Sequence, residues 1–331
     1  MTAPALAIAF DGSPAARAAV RAAGALFPGA PAIVMFARRA PATLGQAAAL
    51  ARIAVPDATI AGGLAALDQA ATEEAEAVVA SGQRAASEAG LSAETAIVEG
   101  AGSPWRAVRQ LARERDATVV VCGSRGQGPF SRAALGSTSS GLLHHADRPV
   151  LVVPEGGGGL DGPVIVGYDG SDAAAAAVRV AAALLPGREA IVVNVWESLV
   201  QHSLGGRALA SAPIETARSL TGELDDCFRA IATDIAEQGA GLADSEAVTA
   251  RAVEAKGSPW HGLLAAARAA GGALILVGSR GRGAVAATVL GSVSSGLVHN
   301  ADIPVLVVPD AAGIPGRAPA VDADDRGSPG A

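Results

Sequence analysis

Two stretches of this sequence carry glycine and serine in a spacing that suits an anion. Gly123, Gly126 and Gly136-Ser137 form G-x2-G-x9-G-S, and Gly278, Gly281 and Gly291-Ser292 repeat it. Glycines let a backbone turn sharply and bring N–H groups to an anion with no side chain in the way. A serine at a helix start can cap it, beside free N–H groups that favour phosphate. Loop and helix start together would hold a polyphosphate from two sides, with Arg125 and Arg280 adding loop charge. An aspartate follows an opening apolar run in each case, as Asp11-Gly12-Ser13 and as Asp169-Gly170-Ser171. A carboxylate there can accept hydrogen bonds from ribose hydroxyls, cap the next helix, or do both.

The elements that must position these residues are duplicated. Residues 123–154 and 278–309 are related by an offset of 155, with 21 of 32 positions identical. The same offset relates Gly102-Ser103-Pro104-Trp105 to Gly257-Ser258-Pro259-Trp260, and the opening segments align at an offset of 158. Such self-similarity predicts two copies of one domain, at 1–154 and 163–310. A Gly-rich linker is expected at 155–162 and a disordered tail at 311–331. In the first copy, apolar runs predict strands at 5–10, 32–37, 94–98, 117–122 and 149–153. In the second they fall at 163–168, 190–195, 248–254, 273–277 and 304–308. Helices are expected at 13–26, 64–89, 103–115 and 137–146, then at 171–185, 213–239, 258–270 and 292–300. The runs are short, β-branched and nearly continuous, as for parallel strands covered on both faces. Strand–helix alternation implies right-handed crossovers and an α/β fold of two tandem doubly wound, Rossmann-like domains. In such sheets a ligand lies beyond the carboxyl ends of the strands, where the glycine loops fall. Segments 38–63 and 197–212 follow the second strands and would fold over a bound base as lids.

Composition removes several classes of function. The chain has 331 residues, 50% hydrophobic and only 3% aromatic, so its cores must close by tight packing of small side chains. A formal charge of -7 argues against a nucleic-acid surface. Lys256, the only lysine, sits in AKGSPW and cannot complete a GxxxxGK[ST] phosphate loop. Cys122 and Cys227 offer no metal-ligand spacing, and Cys122 reads as a buried small hydrophobe. No apolar run suits a membrane span and the N-terminus lacks a basic leader, so a cytoplasmic location is expected. A dinucleotide fingerprint would follow the first strand, whereas these glycines follow the fourth. His144 and His299 read as C-terminal helix residues, and Trp105 and Trp260 as packing residues.

On the Asp-Gly-Ser turns, the two G-x2-G-x9-G-S signatures and the closing Pro-Val-Leu-Val-Val-Pro strands, the sequence resembles a tandem universal stress protein. The likeness covers about nine-tenths of the chain. It implies a five-stranded parallel sheet of order 3-2-1-4-5 in each domain, with one ATP site apiece. By this resemblance Asp11 and Asp169 approach the ribose and adenine, and Ala37 and Val195 contact adenine. Gly123, Arg125, Gly126, Gly136, Ser137 and Ser139 line the phosphates of the first copy. Gly278, Arg280, Gly281, Gly291, Ser292 and Ser294 line those of the second. Arg125 and Arg280 stand where family members often carry histidine. An ATP-binding stress-response regulator is expected, with Mg²⁺ accompanying the nucleotide and no dedicated catalytic base. A slow ATPase and a nucleotide-free partner-binding scaffold are the alternatives. The closing strands are short apolar edges that seek a partner, which predicts an intramolecular pseudo-dimer and a homodimer of whole chains.

Overall fold

The structure is a computed structural model and describes residues 3–39, 57–100, 103–126, 135–157, 159–197, 214–243, 248–255, 258–281 and 290–309. The expected linker thus lies largely within these residues. The tail and most of both expected lids lie outside them. The first half runs β1 (Leu6–Ala9), α1 (Pro14–Leu26), β2 (Pro31–Arg39), α2 (Asp57–Glu88), β3 (Ser92–Gly100), α3 (Pro104–Glu114), β4 (Val119–Gly123), α4 (Ser137–His144) and β5 (Val150–Val153). The second runs β6 (Val164–Gly167), α5 (Asp172–Leu184), β7 (Ala190–Glu197), α6 (Ile214–Gly241), β8 (Val248–Ala255), α7 (Pro259–Ala269), β9 (Leu274–Gly278), α8 (Ser292–Asn300) and β10 (Val305–Val308). Residues 57–63, expected within a lid, instead open helix α2.

All ten strands join one sheet of order β3-β2-β1-β4-β5-β10-β9-β6-β7-β8. Each half keeps the parallel order 3-2-1-4-5. The halves meet where β5 and β10 pair antiparallel, with Leu151 opposite Leu306 at the centre. The β5 and β10 edges thereby close each other, and β3 and β8 are the outer edges of the sheet. A homodimer of whole chains would need a different surface.

Sequence explains the close layering. Alanines line the buried face of α1, including Ala16, Ala19 and Ala23, and of α5, including Ala174, Ala177 and Ala181. Small side chains let these helices lie directly on the sheet. One core layer lies under α1, α2, α5 and α6 and contains Ile8, Val34, Val166 and Val192. The opposite layer lies under α3, α4, α7 and α8 and contains Met35, Val108, Leu142 and Leu297. The tryptophans expected to pack do so against glycine. A Cβ on Gly141 of α4 would lie 2.2 Å from the Trp105 ring, and one on Gly296 of α8 2.4 Å from that of Trp260. Trp105 also stacks on His145 with centroids 4.3 Å apart.

Candidate functional site

The Asp-Gly-Ser turn, the glycine loop and the last helix of each half converge at the carboxyl edge of its parallel strands. Ser13 is the N-cap of α1, its Oγ accepting from the Ala16 N–H at 3.1 Å. Ser171 caps α5 in the same way at 3.2 Å from the Ala174 N–H. The alternative in which the aspartate caps the helix is therefore corrected. Asp11 Oδ1 instead accepts from the Ser13 N–H at 3.0 Å, and Asp169 Oδ1 from the Ser171 N–H at 2.9 Å. Glycines with φ of +77° and +81° at Gly12 and Gly170 supply the left-handed turn that this bond requires. Each carboxylate is half-buried and its second oxygen faces the glycine loop. A Cβ on Gly126 would come within 2.5 Å of Asp11 Oδ2, and one on Gly281 within 2.7 Å of Asp169 Oδ2.

The glycines of the signature differ in what demands them. Gly123 ends β4 directly against α1, where an added Cβ would meet the Ala15 carbonyl carbon at 2.7 Å. Gly278 meets Ala173 of α5 at the same distance. These two are close-packing glycines of the strand end. Gly136 is different: a Cβ there would find nothing nearer than 3.4 Å, and its φ of -63° is open to any residue. Gly291 is somewhat tighter, with Ser279 O at 3.2 Å.

Gly136 and Gly291 also occupy the N-cap positions of α4 and α8, so Ser137 and Ser292 are the first helical residues and not the caps. The Gly136 N–H donates to Ser124 O at 2.9 Å, and the Gly291 N–H to Ser279 O at 2.8 Å, docking the helix start on the loop. The N–H groups of Ser137, Thr138 and Ser139 precede the first helical donor, Ser140 N–H onto Gly136 O, and carry the positive end of the helix dipole. Ser137 and Ser292 are exposed, whereas Ser139 and Ser294 are buried. Ser139 Oγ donates to Gly123 O at 2.6 Å, and Ser294 Oγ contacts Gly278 O and Ser279 O at 3.2 and 3.1 Å. These buried hydroxyls tie helix to strand end, a positioning role that sequence reasoning did not assign. Ser13, whose Oγ reaches Arg125 O at 3.5 Å, is likewise a linking residue it missed. The capping spacing of Ser13 before an Ala-rich helix was the available signal.

Arg125 and Arg280 are half-buried beside the loops. Ala37 and Val195 lie near the carboxyl ends of β2 and β7, half-buried on the α3 and α7 face. One strand separates them from the glycine-bearing strand, a span of about 10 Å at the usual strand spacing. Among the described residues no group of three or more His, Cys, Asp or Glu is placed to hold a metal, and no helix is long and apolar enough to cross a membrane. Cys122 lies beneath the loop, where burial pushes its thiol up to about 12 despite a hydrogen bond with Ser139. It stays protonated and is no nucleophile at neutral pH.

Fold and site together define a duplicated, doubly wound α/β protein with two equivalent glycine-loop sites. The chain belongs to the universal stress protein family, whose family model matches residues 5–154 and again 162–309. Universal stress protein Rv1996 of Mycobacterium tuberculosis is 33% identical over 241 residues, covering 71% of this chain and 72% of that protein. A Mycolicibacterium smegmatis universal stress protein is 34% identical over 201 residues, covering 59% of this chain and 62% of that one. The crystal structure of a universal stress protein from Archaeoglobus fulgidus covers 92% of this chain and 98% of its own, with a TM-score of 0.58 at 22% identity. That likeness supports the fold.

Proposed function

We propose that each half binds one ATP or closely related adenine nucleotide, and that the chain works as a nucleotide-reading stress-response regulator. The observation that carries this is Gly136. Among the described residues a Cβ at Gly136 would meet nothing nearer than 3.4 Å, yet both halves hold glycine where helix start and loop face each other. A ligand that must approach the backbone closely supplies the missing reason. The uncapped N–H groups of α4 and α8 and the loop backbones would hold the phosphates. Asp11 and Asp169 would take the ribose hydroxyls, with Ala37 and Val195 against the base. A divalent cation would arrive with the phosphates, since the described residues offer it no cluster of their own.

Phosphoryl transfer needs an oriented nucleophile and charge stabilisation on the transferred group. Among the described residues each site offers backbone donors, serines, an arginine and the Asp11 or Asp169 carboxylate assigned to the ribose, with no further base for water. Binding ground and transition states about equally gives affinity without rate. Occupancy would then act through conformation, shifting the chain toward a state that a partner reads.

Mass spectrometry of small molecules released on denaturing the purified protein tests the ligand, and calorimetry the stoichiometry. Two sites per chain are expected, each removed by one of Gly136→Asp and Gly291→Asp. Nucleotide binding that survives in the double variant overturns the reading. Single-turnover hydrolysis near 1 s⁻¹, in the range of working enzymes, would make the protein an ATPase instead.

A further inference from the structure

The amino ends of the second half's strands, on the side away from its Asp-Gly-Ser turn and glycine loop, border a partly open cavity of about 210 Å³. Its walls are Val164 and Val166 of β6, Val178, Ala181 and Ala182 of α5 with its C-cap Leu185, Ala190 and Val192 of β7, Ala243 just after α6, and Val248 at the start of β8. Pro186, Gly187 and Arg188 form its rim. By volume it exceeds the roughly 150 Å³ that takes benzene and has room for a hydrocarbon of roughly eight carbons against its valine wall, with the polar rim left at the mouth.

Comparison of the two halves explains how the space arises. At the offset of 158, Leu6, Ile8 and Phe27 of the first half become Val164, Val166 and Leu185. Leu6, Ile8 and Phe27 are all buried, so each replacement removes core volume. Gly24 becomes Ala182. In the first half α1 abuts the end of α2 so closely that a Cβ on Gly24 would lie 2.1 Å from Ala89 O. The methyl of Ala182 forbids that approach in the second half. The covering helix is also shorter there. Gly82 of α2 and Gly239 of α6 are equivalent, each pressed on the aromatic after the first strand and the valine of the second. From these points α2 continues six residues to Glu88, but α6 only two, to Gly241. The second helix thus ends about 6 Å sooner past the equivalent glycine. In the first half the chain beyond α2 tucks Leu91 into the core, its N–H on Ala86 O at 2.9 Å. Finally Ala30 becomes Arg188, a cation at the mouth, which donates one hydrogen bond to Leu160 O. A guanidinium has five donors, so it can serve a carboxylate as well.

We propose that this cavity is a second kind of ligand site, which takes a small amphiphile: a hydrocarbon tail of about eight carbons among the valines, with a carboxylate at Arg188. It does not rest on nucleotide binding, and the larger buried side chains of the first half leave less room at the equivalent place.

Titration calorimetry of the full chain with octanoate tests the assignment, with octanol as the uncharged probe. One saturable site per chain is expected. Ala182→Leu fills the cavity and should weaken octanoate at least tenfold. Should that variant not fold, Val178→Ile places a smaller filler on the same wall. Arg188→Ala should weaken octanoate at least tenfold and leave octanol unchanged, and Arg188→Lys should restore part of the loss. Gly136→Asp with Gly291→Asp should leave octanoate binding as it was, separating this site from the nucleotide sites. No saturable binding at millimolar octanoate overturns the proposal, as does binding indifferent to both filling variants. Equal loss of octanol and octanoate in Arg188→Ala would remove the carboxylate assignment and with it the proposed ligand class.

Discussion

At the scale of single residues, contact distances separate glycines that the fold needs from those it does not. Gly126→Ala would set a methyl 2.5 Å from Asp11 Oδ2, so the carboxylate must move. We expect this one-carbon change to weaken binding in the first half at least tenfold and leave the second half intact, read as loss of one of two calorimetric sites. Retention of both sites at unchanged affinity would exclude Asp11 from the ribose contact. The cysteines give a second prediction, independent of any ligand. Cys122 is buried with its thiol pushed up to about 12 from 9.0, whereas Cys227 is exposed. At pH 8 an alkylating reagent should modify Cys227 and reach Cys122 only after unfolding. The linkage sign follows from protons bound. Between pH 9 and 12 the unfolded thiol is ionised and the folded one is not, so stability present below pH 9 is lost as pH rises toward 12. Cys122→Ala should flatten that part of the alkaline limb, and an unchanged slope would show that the thiol does not titrate as described.

At the scale of elements, most of the architecture was legible because each signal was local. Continuous β-branched runs marked the strands, and Ser-Pro pairs marked the starts of α3 and α7. Both serines hold the cap position without a side-chain hydrogen bond, so the boundary was readable while its chemistry was not. The site was half legible. Glycine and serine spacing located it, but which glycines face a ligand and which merely admit a neighbouring helix depends on packing between distant segments. For the same reason the sequence did not show that Ser139 and Ser294, expected from the resemblance to line the phosphates, bond strand-end carbonyls. The closer end of α2 was missed because residues 57–63 carry no strong apolar stripe. Two element-scale substitutions test the packing. Ser13→Ala removes the cap of α1 and should cost about 1 kcal/mol in chemical denaturation. Gly141→Ala drives a methyl into Trp105 and should cost about 1–3 kcal/mol. A neutral result at Gly141 would mean that α3 and α4 can separate without loss.

For the whole molecule, the junction of the halves decides whether the chain behaves as one body or two. Pro149 O accepts from Val120 N–H and Val153 O accepts from Ser124 N–H, so odd-numbered residues of β5 turn their polar groups toward β4. By the alternation of a strand, Val150 and Val152 turn theirs toward β10. Val152 stands opposite Val305, and Val150 opposite Val307. The strand is only four residues long, so the junction rests on few bonds and on the buried Leu151–Leu306 centre. Each glycine loop is tied to it: Ser124 N–H reaches Val153 O, and Ser279 N–H reaches Val308 O at 2.7 Å. Unzipping β5 from β10 would expose an apolar edge on each half, at about 2 kcal/mol for every large side chain brought into water. The wild-type chain should therefore unfold in a single calorimetric transition. Val152→Pro removes an N–H aimed at β10 while leaving the β4 face of the strand its donors and acceptors. Two resolved transitions, each with about half the enthalpy, are expected of that variant. If it still unfolds in one step at an unchanged midpoint, the halves are held by something other than the β5–β10 pairing, and the ten-stranded sheet is not the cooperative unit.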